Sequence, residues 1–390
     1  MKDETKSIKI QTERTQHKEH STPLFLTSSF TFDDADEGRA LFNNEIEGNI
    51  YSRYSNPSVQ EFIDKVCMLE DLEQGFATSS GMSAVFAGFA AHLKSGDHLV
   101  SSKALFGSAH QIITQILPKW GITHTYLNTD ATEDDWDNAV KKNTKMIYCE
   151  TPSNPGLDIV DMEMLGKVAK KHQLIYFVDN CFATPILQKP VEFGADLVVH
   201  SATKFMDGQG RVMGGIICGT AERMEPVTFF CRHTGPAMSP FNAWVLSKSL
   251  ETLELRMDRH CSSAAALAEA LQGLKGVKKV NYPFLDSHPQ VALAKKQMKS
   301  GGALVTFELE GAFERIIHFT KLLTIPSKTS NLGDSRTTIT NPNTTTHSKV
   351  AQDIKDELGI TEGLMRVSVG LENIGDLIED FKQAIAGSNT

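Results

Sequence analysis

The sequence predicts an α/β protein whose larger part is built on a mostly parallel sheet and whose C-terminal part is a smaller α+β domain. Three observations carry this. From about residue 59 to 215, short apolar runs alternate with helical patterns, which is how a parallel sheet covered on both faces is written. After about residue 240 the alternation gives way to a long helical pattern and then to two further apolar runs. A chain of 390 residues suits one large domain plus a smaller one and can bury a full core without staples.

Residues 1–58 are polar and aromatic with little periodicity, and end in NIYSRYSNPS, where Asn56-Pro57 marks a turn. This stretch reads as an extended arm. Ser58 or a neighbour caps a helix through VQEFIDKVCMLEDLE. In FATSSGMSAVFAGFAAHLKSGD, small residues precede an apolar helix that stops near Gly96. HLVSS, THTYLN, KMIYCE, LIYFVDN, ADLVVHS and VMGGIICG read as strands, with amphipathic segments such as MEMLGKVAKKHQ between several of them. The pattern from Phe241 to Leu274 is one long helix with a bend, ending near Gly273. GALVTFEL, a polar loop from Pro326 to about His347, MRVSVGL and a last helix near IGDLIEDFKQAIA complete the chain. The expected divisions are an arm over 1–58, a large domain over 59–250 and an α+β domain over 251–390.

Composition narrows function by exclusion. A formal charge of −9 argues against nucleic acid or an anionic membrane as the main partner, while leaving room for small anionic ligands. None of the six cysteines stands in a C-x-x-C pair, so no zinc or redox motif is present and no metal is expected. They read as buried free thiols of a reducing cytosol. The first residues have no apolar signal-peptide core, and no apolar run approaches the ~18 residues of a membrane span. A cytoplasmic protein is expected.

The chemistry begins in DLVVHSATKFMDG. A strand ends at His200, the hydroxyls of Ser201 and Thr203 follow, and then comes Lys204. A lysine leaving a buried strand end is partly desolvated, which lowers its pKa and suits it to Schiff-base chemistry. Asp179 ends LIYFVDN one crossover earlier, so its carboxylate projects from the C-terminal edge of the sheet, where ligands of open α/β folds bind. In SSGMSA, Ser80, Gly81 and Met82 open an apolar helix whose free N–H groups and dipole favour an anion. Gly81 lets the backbone approach closely. Phe106 in KALFGSAH can stack on a ring, and Asn154 in ETPSNPG can reach a ring hydroxyl or a substrate carboxylate. An amine, an acid for a pyridine nitrogen, a phosphate cradle and an aromatic face are the four parts that a pyridoxal 5'-phosphate site requires.

Taken together, these motifs resemble the Cys/Met-metabolism, or transsulfuration, family of pyridoxal-phosphate enzymes, which have PLP fold type I, the fold of aspartate aminotransferase. The resemblance runs from about Ser21 to the final helix through STPLFLTSSF, YSRYSNPS, SSGMSA, LFGSAH, ETPSNP, FVDNCFATP, HSATK, SNLGDSRT, TTTH and MRVSVGLE. Any one of these is weak, but the ordered set is specific. The resemblance implies that Lys204 is the Schiff-base lysine and Asp179 the pyridinium partner. Gly81, Met82, Ser201 and Thr203 match phosphate ligands, with Ser80 beside them. Tyr51 and Arg53 match the pair that reaches the phosphate of a neighbouring subunit, which implies a homodimer or homotetramer with shared sites. Arg366 matches the clamp on the substrate α-carboxylate, a job suited to a bidentate fork, and Asn154 and Asn331 join it as substrate contacts.

Three departures matter. Many members carry tyrosine where this chain has Phe106, so chemistry that depends on that phenol is not implied. Where members that make or cleave cystathionine often have S-L-G-G-x-E-S, this chain has Ser330 to Thr337 reading SNLGDSRT. Asn341 stands where histidine is usual in that loop. LFGS, SNLGD and TTTH are more similar to the O-succinylhomoserine sulfhydrylase branch. The implied reaction is γ-replacement on O-succinylhomoserine or O-acetylhomoserine by sulfide, giving homocysteine in methionine biosynthesis. Cystathionine γ-synthesis with cysteine and γ-elimination to a 2-oxo acid and ammonia use the same machinery and stay open. A non-catalytic binding protein is disfavoured because both Lys204 and Asp179 are present.

Overall fold

The strands alternate as sheets covered on both faces must. In the computed structural model, which describes residues 1–311 and 313–388, Ile147 and Cys149 face one core while Met146 and Tyr148 face another. Tyr176 and Val178 are divided from Ile175 and Phe177 in the same way, as the two-residue period of a strand requires. These residues belong to a seven-stranded sheet made of β1 (Gln74–Thr78), β2 (His98–Ser102), β3 (Thr123–Leu127), β4 (Thr144–Glu150), β5 (Ile175–Asp179), β6 (Leu197–His200) and β7 (Gly215–Gly219). Its order is β1-β7-β6-β5-β4-β2-β3. β7 runs antiparallel to β1 and β6, and the other pairs are parallel.

Helices close both faces. Of the first four, α1 (Asp3–Lys9) and α2 (Ala35–Phe42) lie in the N-terminal stretch, followed by α3 (Pro57–Glu70) and α4 (Gly81–His92). α3 brings Val59, Phe62 and Val66 to one core, and α4 brings Ala84, Val85 and Phe89 to the other. The cap of α3 is Asn56, whose Oδ1 accepts the Ser58 N–H at 2.9 Å with Pro57 in the first turn; Pro there loses no helical hydrogen bond.

A five-stranded sheet follows, of β8 (Val277–Asn281), β9 (Leu304–Leu309), β10 (Ser327–Lys328), β11 (Thr338–Thr340) and β12 (Leu364–Ser368), in the order β10-β11-β12-β9-β8. β10 and β11 pair parallel and the rest antiparallel. Val305, Phe307 and Val367 pack with Leu267 and Phe381 of the helices Leu253–Gln272 and Ile374–Gly387.

The α/β architecture and its mostly parallel sheet are as the sequence predicts, and several local readings are corrected. β1 and the helix Ala221–Thr234 were not expected. The apolar helix α4 ends at His92, short of Gly96. The long helical pattern after residue 240 divides into Pro240–Leu250 and Leu253–Gln272. β10 and β11 lie inside what reads as a polar loop. The N-terminal stretch is neither purely extended nor detached. The Thr12 N–H bonds Glu61 Oε2 at 2.9 Å, the Phe25 N–H bonds Ser58 Oγ at 3.0 Å, and Trp244 Nε1 bonds the Thr22 carbonyl at 2.9 Å. The six cysteines are free, five of them buried and Cys181 half-buried. Among the described residues, no helix is long and apolar enough to cross a membrane.

Candidate active site

β4 and β5 end side by side, with Glu150 opposite Asp179 in register, and β6 next to them ends at His200. Their C-terminal edge floors a cavity of about 310 Å³, within the range of small-molecule sites. Lys204, Asp179, Ser80, Gly81, Met82, Phe106, Ser201, Thr203, Asn154, Asn331 and Arg366 all line it. The smaller sheet contributes Arg366 from β12 and Asn331 from the loop after β10, so the cavity lies between the two sheets.

The anion end is set by a close backbone contact. Ser80 caps α4, its Oγ accepting the Ser83 N–H at 3.2 Å, so Gly81 and Met82 occupy the first turn, where helix geometry leaves N–H groups open. A Cβ at Gly81 would lie 2.6 Å from Ser201 Cβ and 2.8 Å from Ser201 Cα. Only glycine lets the helix start touch the residue that follows β6, and this brings the open N–H groups beside the Ser201 and Thr203 hydroxyls. The sequence reading gave Gly81's freedom to a ligand; here it serves the Ser201 backbone.

At the other end, Lys204 Nζ donates to Asn331 Oδ1 at 2.7 Å. Burial, aided by the nearby charge of Arg366, lowers the pKa of this amine. Asn331 was expected to contact substrate; in this structure its partner is the lysine. Arg366 is 2% exposed, with Nη1 donating to Asn154 Oδ1 at 2.8 Å and Nη2 to the Ser330 carbonyl at 2.9 Å. Burial lowers its pKa to about 10, so it stays charged at neutral pH. Neighbouring Gly333, at φ +75°, presses on the Lys204 backbone: a Cβ there would be 2.7 Å from Lys204 C and 2.5 Å from Phe205 N.

Asp179 accepts the Cys181 N–H at 3.0 Å, and burial raises its pKa. Glu150, 3% exposed, accepts the Phe106 N–H on Oε2 at 2.7 Å. Burial first, and then the Asp179 charge, pushes its pKa well above the ordinary carboxylate range, since two adjacent buried carboxyls resist double ionisation. Sequence reasoning gave Glu150 no role although it begins ETPSNP. Its strand-end place in KMIYCE was visible in the sequence, but its register beside Asp179 was not. Cys181, within FVDNCFATP, also lines the cavity and was likewise missed.

Tyr51 and Arg53 are not brought here. Tyr51 is 40% exposed. The Arg53 guanidinium sits 5.4 Å from the Tyr51 ring centroid and 4.8 Å from that of Tyr54, and it donates to the Arg232 carbonyl. The remaining parts fit pyridoxal phosphate: a partly desolvated amine, a half-buried acid, an open helix start with the Ser201 hydroxyl and with Thr203, whose hydroxyl also bonds Gly214, and an aromatic wall.

Comparisons with known proteins agree with that fit. The model of the family described as Cys/Met metabolism PLP-dependent enzyme matches residues 4–386. O-succinylhomoserine sulfhydrylase of Pseudomonas aeruginosa is 43% identical over 385 residues, covering 98% of this chain and 95% of the relative. L-methionine gamma-lyase of Fusobacterium nucleatum subsp. nucleatum is 41% identical over 366 residues, covering 93% and 92%. A solved structure from Campylobacter jejuni subsp. jejuni, holding N'-pyridoxyl-lysine-5'-monophosphate, superposes with a TM-score of 0.95 at 30% identity, covering 99% of this chain and 100% of that one.

Proposed function

Because the chain belongs to the Cys/Met metabolism family of PLP-dependent enzymes, we propose that it catalyses γ-replacement on O-succinylhomoserine or O-acetylhomoserine, with sulfide as nucleophile and homocysteine as product. The observation that carries this reading is the 43% identity to a sulfhydrylase across 98% of the chain. The cavity that joins Lys204 to the Arg366–Asn154 pair supports it.

Pyridoxal phosphate, when bound, supplies the electron sink for charge developing at the substrate α-carbon. Gly81, Met82, Ser80, Ser201 and Thr203 would hold its phosphate, Phe106 would pack against its ring, and Asp179 would be the acid that holds a proton at its ring nitrogen. Arg366 and Asn154 bind the substrate α-carboxylate and fix the α-carbon beside Lys204. The Lys204 amine, lowered by burial, takes the α-proton and moves protons at the neighbouring carbon. Succinate or acetate then departs from the γ-carbon, sulfide adds in its place, and the protons return. Phe106 has no hydroxyl and only packs. Tyr51 and Arg53 complete the phosphate site of a second copy, in a homodimer or homotetramer of a cytoplasmic enzyme of methionine biosynthesis.

The test is product analysis of holoenzyme with O-succinylhomoserine and with O-acetylhomoserine, each alone and with sulfide or cysteine. Homocysteine formed only with sulfide is the expected result. Cystathionine from cysteine would overturn the choice of nucleophile. A second reading, γ-elimination, is favoured by the 41% identity to a methionine gamma-lyase. It would appear as a 2-oxo acid and ammonia without any thiol.

A further inference from the structure

Beneath the cavity floor lies a buried acid–histidine pair that no step of the proposed chemistry uses. Glu70, the last residue of α3, and His200, the last residue of β6, are both buried, and Glu70 Oε1 lies 2.5 Å from His200 Nε2. The same oxygen accepts a hydrogen bond from Asn180 Nδ2 at 2.9 Å, while Glu70 Oε2 has no hydrogen-bond partner among the described residues. One carboxylate oxygen thus ties the ends of β5 and β6 together, for Asn180 follows Asp179 and His200 precedes Ser201. A buried ion pair is a weak source of stability, because desolvation opposes the attraction between its members. A fixed charge in such a setting does act strongly on an ionisable neighbour. Asp179 is that neighbour: it pairs in register with Val199, the residue before His200.

We propose that Glu70 and His200 are positioning residues for the cofactor: together they hold a positive charge behind Asp179, so that Asp179 rather than Glu150 is the ionised carboxylate that meets the ring nitrogen. This rests on the fit of the site to pyridoxal phosphate and not on the choice of γ-replacement. Two carboxyls end adjacent strands in one floor, and the surroundings decide which of them ionises. Facing Asp179 are Glu150 and Tyr148 from β4, Cys181 from its own turn and His200 from β6. Facing His200 are Glu70 from α3 and Asp179 from β5. Burial raises the Asp179 pKa to about 6, and the Cys181 N–H, the His200 charge and the Tyr148 phenol work against that rise. Glu150 has the Phe106 N–H and the Arg366 charge on its side, yet burial and the Asp179 charge hold it well above the ordinary carboxylate range. His200 is the cation that tips the choice toward Asp179, and Glu70 fixes where that cation sits.

The experiment measures the Kd of the cofactor-stripped full chain for pyridoxal 5'-phosphate and for 1-deazapyridoxal 5'-phosphate, in which a C–H replaces the ring nitrogen. It compares the unaltered chain, His200→Gln and the double variant Glu70→Gln/His200→Gln, each also combined with Asp179→Asn. The unaltered chain is expected to prefer the nitrogen cofactor, and His200→Gln to lose about tenfold of that preference at pH 7, the equivalent of one pKa unit at Asp179. In that variant the preference develops about one pH unit higher. With Asp179→Asn the acid is gone, so His200→Gln changes the preference no further. The double variant replaces both charges by amides that can still hydrogen-bond, and gives the same loss where His200→Gln alone fails to fold. A purely structural pair would weaken both cofactors alike. Equal weakening, an unchanged preference, or a loss of preference that persists with Asp179→Asn overturns the proposal and leaves the cofactor fit intact. An unaltered chain that binds the two cofactors equally overturns Asp179 as the ring-nitrogen partner as well.

Discussion

Glu150 and Asp179 end neighbouring parallel strands with their carboxyls in one cavity floor, and the site must keep one of them from ionising. Glu150 is the one held by the Phe106 N–H and pushed well above the ordinary carboxylate range by burial and by Asp179. A carboxyl whose folded-state pKa is raised binds its proton more tightly in the fold than in the unfolded chain. Its contribution is therefore greatest below the ordinary glutamate range and declines as pH rises above it. Glu150→Gln keeps an acceptor for Phe106 but cannot ionise. In cofactor-free protein, its urea midpoint relative to the unaltered chain is expected to rise between pH 5 and pH 8. Glu150→Ala leaves the Phe106 N–H without its acceptor and costs about 1–3 kcal/mol across that range. Most of the cavity lining was legible in the sequence, since Lys204, Asp179 and Ser201 each close a strand or follow one, while Arg366, in the middle of β12, was legible only through the family resemblance. Glu150 was not, because a strand-end glutamate looks like any solvent-edge acid until the register of β4 against β5 is known.

Among the elements, α3 ties the N-terminal stretch to the helix Pro240–Leu250 through one buried acid. Glu61 lies 3.2 Å from Lys65 and receives hydrogen bonds from Ser247 Oγ at 2.6 Å and from the Thr12 N–H at 2.9 Å. Burial opposes its ionisation, yet these bonds and the Lys65 charge bring its pKa down to about 2. A depressed carboxylate stabilises the fold above its unfolded pKa, near 4.5, and loses that effect as pH falls toward 2. Glu61→Gln is therefore expected to cost up to about 3 kcal/mol at pH 7. The difference should vanish between pH 4.5 and 2, as read from denaturation midpoints. None of this was visible in the sequence, where the first 58 residues lack periodicity; their order comes from bonds to α3 and to Trp244, which are distant in the chain. β1 escaped for a related reason. Its QGFAT is short and runs straight into the cap of α4, so the small residues read as the approach to a helix rather than as an edge strand.

For the whole molecule, the separation of Tyr51 and Arg53 from the cavity sets the strongest expectation about assembly. If these residues complete the site of a second copy, Lys204→Ala and Arg53→Ala are each inactive alone. Co-expressed, they should recover part of the turnover, because a mixed dimer holds one site with both residues intact. Two inactive variants that stay inactive in a verified mixed dimer would remove the shared-site reading. Strands β2 to β7 of the large sheet could be read because short apolar runs alternate there with helical patterns. The smaller sheet could be read only in β9 and β12, since β8 carries two lysines and an asparagine, and β10 and β11 are short and polar apart from Ile339, taking strand form by pairing β10 to β11 and β11 to β12.

The press of Gly333 on the Lys204 backbone has a mechanical meaning. The loop of the smaller sheet leans on the main chain that carries the amine, and Asn331 in the same loop grips the amine itself. A hinge opening between the two sheets would therefore begin by dragging on the lysine, so parting the halves and displacing its Nζ are one motion.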